Sequence, residues 1–211
     1  MYIKFYVIIL VSALCALCAC TSQTQDETFA RIKALEYSRS ATAGVFDQYI
    51  ESGSPEVKTA AIDAIAKIQD PIHLTSLKKL LLRPDPHYIE KAIFALGQIH
   101  TISSVEILEN LYIQDSYAPY RRQIIKALGN TETSLAREFL LSYLNTCPDS
   151  LLDVAITSLA LLFPRDSIQA GIDRQLCGFL ANTAAGVSSA AAYFYSRHPD
   201  SLPLTNQYLR S

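Results

Sequence analysis

The side chains best able to do chemistry in this 211-residue chain are four histidines and five cysteines, and neither set is spaced for it. His73, His87, His100 and His198 fall at expected turns or helix starts. A helical metal site needs ligands at i, i+4 spacing or cysteine and aspartate company, and none of the four has either. Cys15 and Cys18 make a Cys-x-x-Cys, but it sits in an apolar run without the strand pattern a redox motif requires. There is no glycine-rich phosphate loop, no Gly-x-Ser-x-Gly elbow and no His-Glu-x-x-His. Carboxylates such as Glu106 and Glu109 lie amid polar helix surface, where solvation explains them. No catalytic, cofactor-binding or metal-ligating residue is expected, and no small-molecule substrate.

One polar pattern does stand out. Thr75, Lys79 and Arg83 are followed at matching positions by Glu106, Asn110 and Gln114, then Glu138, Ser142 and Thr146, then Gln169, Asp173 and Cys177. Steps of four place each trio on one face of a helix. Thr75, Lys79, Arg83, Glu106, Asn110, Gln114, Glu138, Ser142 and Asp173 are the candidate partner-binding residues. The stripe is basic at its Lys79 and Arg83 end and acidic beyond it. Leu77, Leu108, Leu140 and Gly171 share the position expected to face a buried seam. Lys78 and Glu109, equivalent in successive repeats, are expected to pair.

Such a stripe needs helices in register, and the chain supplies them as a repeat. AIDAIA at 61–66 returns as AIFALG at 92–97, IIKALG at 124–129 and AITSLA at 155–160, starting 31, 32 and 31 residues apart. A fixed period of this length marks a repeat array. Each repeat opens on Pro, Asp or Ser (Ser54-Pro55, Asp85-Pro86, Asp115-Ser116, Pro148-Asp149), residues that suit a helix's first turn. Apolar residues Val57, Ala61, Ile62, Ile65 and Ile68 then keep a helical period. Small residues recur at Ala64, Ala95, Ala127 and Ser158, and at Ala66, Gly97, Gly129 and Ala160, so the next helix can come close. A degraded copy at 29–37 is followed by a second helix over 42–51. Tyr112, Tyr143 and Tyr195 fit the packing period, and no strand alternation occurs.

These phrases resemble HEAT-like repeats of the bilin-lyase type, whose pattern runs Asp-Pro-x-Val-Arg-x-x-Ala-x-x-Ala-Leu-Gly and then Asp-Pro before a Leu-rich helix. Residues 54–83 follow it nearly throughout, with Lys58 in the arginine position and Arg121 there in the third copy. The repeats at 54–83, 85–114 and 115–146 match well. The fourth departs at Phe163-Pro164-Arg165, and the last replaces the motif with AAAYFY at 190–195. The resemblance implies an all-α protein: a right-handed α-solenoid of about six helical-hairpin repeats over 28–211. It also implies that second helices line the concave side, carrying the polar stripe, while Lys67 and Lys126 on first helices face outward.

The N-terminus is set apart from this fold. Lys4 precedes an apolar run from Phe5 to Ala19 that ends at Leu17-Cys18-Ala19-Cys20 and gives way to polar TSQTQDET. At 15 residues the run falls short of the ~20 a membrane-crossing helix needs. It resembles a bacterial lipoprotein signal, which implies a signal peptide at 1–19, an acylated Cys20 as the lipid-attachment site, and a polar tether at 20–27. Thr21 after the cysteine implies the outer membrane. Cys147 and Cys177 then remain; they are expected as separate thiols, because packed helix axes lie ~8–10 Å apart and a disulfide holds Cα atoms within ~7 Å.

With 18 basic and 20 acidic residues and no block of like charge, nucleic acid is not an expected partner. A solenoid offers much surface per residue and no enclosed pocket. The expectation is a lipid-anchored scaffold of the bacterial cell envelope that holds another envelope protein or an extended peptide. The alternatives are a structural subunit of a larger envelope complex and, from the bilin-lyase resemblance, an enzyme attaching chromophores. If neither helix series binds, Tyr193, Phe194 and Tyr195 at the chain end are the next candidates.

Overall fold

Each repeat begins where a polar side chain closes the first turn of a helix. Ser54 Oγ accepts from the Val57 N–H and Asp85 Oδ1 from the His87 N–H, with Pro55 and Pro86 directly behind them. Both devices satisfy amides that a helix start otherwise leaves open. Second helices use threonine the same way: Thr101 accepts from Ser104 N–H and Thr133 from Ala136 N–H.

The computed structural model describes residues 25–83, 85–163 and 170–198, the side chains of 170–172 excepted. The expected signal segment, Cys20 and Gln169 lie outside them. Helix α1 covers 25–37 and α2 covers Asp47–Ser52. They are followed by α3 (Pro55–Ile68), α4 (Leu74–Leu81), α5 (Pro86–Gln98), α6 (Ile102–Ile113), α7 (Arg121–Asn130) and α8 (Ser134–Tyr143). Then come α9 (Asp149–Leu162), α10 (Ala170–Leu180) and α11 (Ala185–Arg197). There is no strand among the described residues. The architecture is an all-α solenoid of helical hairpins, α1/α2 to α9/α10, with α11 stacked on as a further first helix.

Two expected boundaries move. The second helix of the first repeat starts at Asp47 and not at 42, because Gly44 takes φ +70°, outside the right-handed helical region. The third repeat does not start its helix at Asp115. Asp115–Tyr120 is a 3₁₀ segment containing Pro119, which lacks the N–H an α-helix interior needs, and α7 begins only at Arg121.

First helices carry the stack. α3, α5, α7, α9 and α11 each pack on the next, whereas α4, α6, α8 and α10 lean mainly on the first helix that follows them. The small residues explain the difference. A Cβ added to Gly97 would stand 2.7 Å from Ala127 Cα, and one added to Gly129 would stand 2.6 Å from Ser158 Cβ. The two small positions therefore interlock: the glycine of one repeat meets the small residue of the next.

Between the two series runs one continuous apolar core, from Ile32 to Tyr195, with Leu77, Leu108 and Leu140 fully buried in the seam as expected. Tyr112 donates its hydroxyl to Tyr143 at 2.6 Å, so both tyrosines belong to the packing. Cys147 and Cys177 are free thiols, the first half-buried and the second buried. No helix among the described residues is long and apolar enough to cross a membrane.

Candidate functional site

The polar stripe of the second helices exists over three repeats. Thr75, Lys79, Glu106, Asn110, Gln114, Glu138, Ser142 and Thr146 are exposed and Arg83 is half-buried. Much of its bonding capacity is turned inward. Asn110 donates to the Glu106 carbonyl, Gln114 to that of Asn110, and Ser142 to that of Phe139. Lys79 and Arg83 tie their repeat to the one before: Lys79 reaches Asp47 and Glu51, and Arg83 donates to the Ile50 carbonyl.

The fourth repeat breaks the stripe. Asp173 is 2 % exposed and Cys177 is buried, so neither belongs to a wet face. Burial at 173, 176 and 177 matches that at 77, 80 and 81 in α4, once the fourth repeat is shifted two residues onward. In that register Asp173 stands where the other repeats place Leu77, Leu108 and Leu140. The Tyr195 hydroxyl, 2.8 Å from both its Oδ1 and its carbonyl, makes that carboxylate tolerable in the seam. Of the chain-end aromatics, Phe194 and Tyr195 are core residues and only Tyr193 reaches the surface.

The expected Lys78–Glu109 pair is not formed. α4 and α6 are too far apart, and burial, with the nearby Glu106 charge, pushes the Glu109 carboxyl up. Asp47 behaves oppositely. Burial would raise its carboxyl, but hydrogen bonds from Lys79 and Ser76 outweigh that and hold it below the usual range. A depressed folded pKa gives stability that is present above the unfolded value of about 3.9 and lost as pH falls through the folded one. Asp47→Asn should therefore lower Tm at pH 7 and flatten its decline below about pH 4, as thermal melts along an acid titration would show.

Further inter-repeat ion pairs occur on the first helices, where the axes are close. Glu36 pairs with Lys67 at 3.0 Å, Asp63 with Lys91 at 2.8 Å, and Arg122 with Asp153 through a two-point contact. Thr59 meets His87 at 3.4 Å in the same ladder. The sequence reading missed this face as a candidate site. Its signal was the spacing of 28 to 31 residues between opposite charges, the repeat period itself.

The same face carries features the ladder does not use. A groove of about 310 Å³ runs between α7 and α9, walled by Lys126 and Asn130 on one side and Thr157 and Leu161 on the other. The Arg122–Asp153 pair closes one end. On the neighbouring α5, Phe94 is 54 % exposed, and Leu161 is 37 % exposed at the groove. On α7, one turn before Lys126, the Gln123 side-chain oxygen is buried without a hydrogen-bond partner. A wider hollow of about 450 Å³ at the other end, between α1, α2 and the start of α3, borders residue 25, the first described. Among the described residues no three His, Cys, Asp or Glu side chains come together to hold a metal.

An array of stacked hairpins with interlocking small residues narrows the kinship sharply. Residues 76–160, from α4 to α9, match the family model of HEAT repeats. The chain carries a HEAT-repeat-like all-α domain. No curated protein matches it. A role in protein–protein interaction is typical of HEAT-repeat proteins.

Proposed function

We propose that this protein is a lipid-anchored interaction module of the bacterial cell envelope, holding another envelope protein or an extended peptide along its solenoid. The observation that carries the interaction part is the stack itself: an elongated array with open grooves and one continuous core, whose surface serves contact more readily than chemistry. The anchoring part rests on the apolar run that ends in Leu17-Cys18-Ala19-Cys20 ahead of a polar tether. Acylation adds ~0.8 kcal/mol of membrane affinity per buried CH₂, so two or more chains give stable attachment. The outer membrane is the compartment favoured by Thr21 after the cysteine.

Crosslinking in native membranes, followed by identification of what co-purifies with the tagged protein, tests the interaction. A single specific partner is the expected result, and recovery of none removes the reading. Fractionation tests the anchor: Cys20→Ser should move the protein to the soluble fraction or stall its processing. Wild-type protein found soluble with an unmodified N-terminus would refute acylation.

A further inference from the structure

We infer that the first-helix face around the α7–α9 groove is the docking site for an extended peptide. Its expected ligand carries an acidic side chain flanked by apolar residues about three positions away on either side. This rests on the interaction reading and assigns it a surface and a partner chemistry.

Charge is the first argument. Lys67, Lys91 and Arg122 on this face are each neutralised by a carboxylate of the adjacent helix. Lys126 has no ion-pair partner among the described residues, is exposed, and stands on the groove wall. A carboxylate from a partner is what completes it. Glu90, a turn before Phe94, is exposed and without an ion pair among the described residues, so an acidic group is attracted at the Lys126 end and repelled at the other. That gives the peptide a direction.

Hydrogen-bonding capacity is the second argument. Gln123 holds a buried oxygen without a donor, a defect that folded proteins seldom keep without a use. Gln98 and Asn130, equivalent positions in successive repeats, are half-buried amides with no side-chain hydrogen bond among the described residues. An amide offers a donor and an acceptor together, which is what a peptide group needs from a surface. The second-helix stripe differs: Lys79, Asn110, Gln114 and Ser142 are already engaged within the chain.

Spacing is the third. Packed helices lie ~8–10 Å apart and an extended chain advances ~3.3 Å per residue, so neighbouring repeats read side chains about three positions apart. Phe94 on α5 and Lys126 on α7 hold the same repeat position and receive an apolar and an acidic residue, and Leu161, one turn beyond the equivalent Thr157 on α9, receives the second apolar residue.

The test uses the fluorescein-labelled heptapeptide Leu-Ser-Ser-Glu-Ser-Ser-Leu and its counterpart with lysine for glutamate, titrated with the full chain by fluorescence anisotropy. The glutamate peptide should bind at least about tenfold more tightly, Lys126→Glu should reverse that order, and Leu161→Asp should weaken binding by a similar factor. Glu138→Lys, on the second-helix stripe, should change nothing, and all three variants should keep the wild-type circular dichroism spectrum. Equal binding of the two peptides, no saturation by about 1 mM, or an equal loss in Glu138→Lys would overturn the assignment. The crosslinking experiment separates the two levels. A partner still captured by Lys126→Glu sinks this site alone, whereas the absence of any partner sinks the interaction reading beneath it.

Discussion

Leu108→Ala is expected to lower the unfolding free energy by about 2–5 kcal/mol, while Asn110→Ala, two residues on, changes it by no more than about 0.5. Leu108 is fully buried in the seam between α6 and the first helices, so truncation leaves a cavity that rigid neighbours cannot fill. Asn110 is exposed, and its amide only reaches back to the Glu106 carbonyl of its own helix. Urea titrations of the two variants beside wild type measure the difference. Similar losses from both would mean that the second helices do not bury the face assigned to them.

The second large effect reverses an ordinary sign. Replacing glycine by alanine inside a helix normally stabilises it by up to about 1 kcal/mol, through propensity alone. Gly97→Ala should instead cost about 1–3 kcal/mol, because its new Cβ would stand 2.7 Å from Ala127 Cα and 2.8 Å from Ala127 O. Neither is the end of a flexible side chain, so α5 and α7 would have to move apart. Gly178 in α10 supplies the opposite case, since a Cβ there meets nothing within 4 Å. Gly178→Ala should stabilise the protein by up to about 1 kcal/mol. Thermal melts showing both substitutions stabilising would disprove the backbone-to-backbone contact.

Most of the fold could be read from the residues because each repeat states its own grammar. Ser54-Pro55 and Asp85-Pro86 mark helix starts, and the phrase around Ala61, Ala92, Ile124 and Ala155 sets the register. What could not be read was what depends on more than one repeat. The stripe fails at Asp173 because the buried positions of α10 are shifted two residues from those of α4, and an offset carried over from earlier repeats cannot register that. That first helices stack more closely than second helices left only a trace in the sequence, the small residues that pair Gly97 with Ala127 and Gly129 with Ser158. The orphaned oxygen of Gln123 and the unpaired Lys126 likewise need neighbours in place before they stand out.

The glycine contacts also govern how the molecule gives under load. Backbone touching backbone at Gly97 and Gly129 leaves the first-helix edge nothing further to compress. The second helices lean on the following first helix more than on one another, so their separations can change while the core seam stays closed. The first-helix edge therefore acts as a stop: it can open but cannot close further, whereas the more widely spaced second helices have room to move either way. A ligand seated along the first-helix edge would therefore meet a repeat spacing that cannot shorten beneath it.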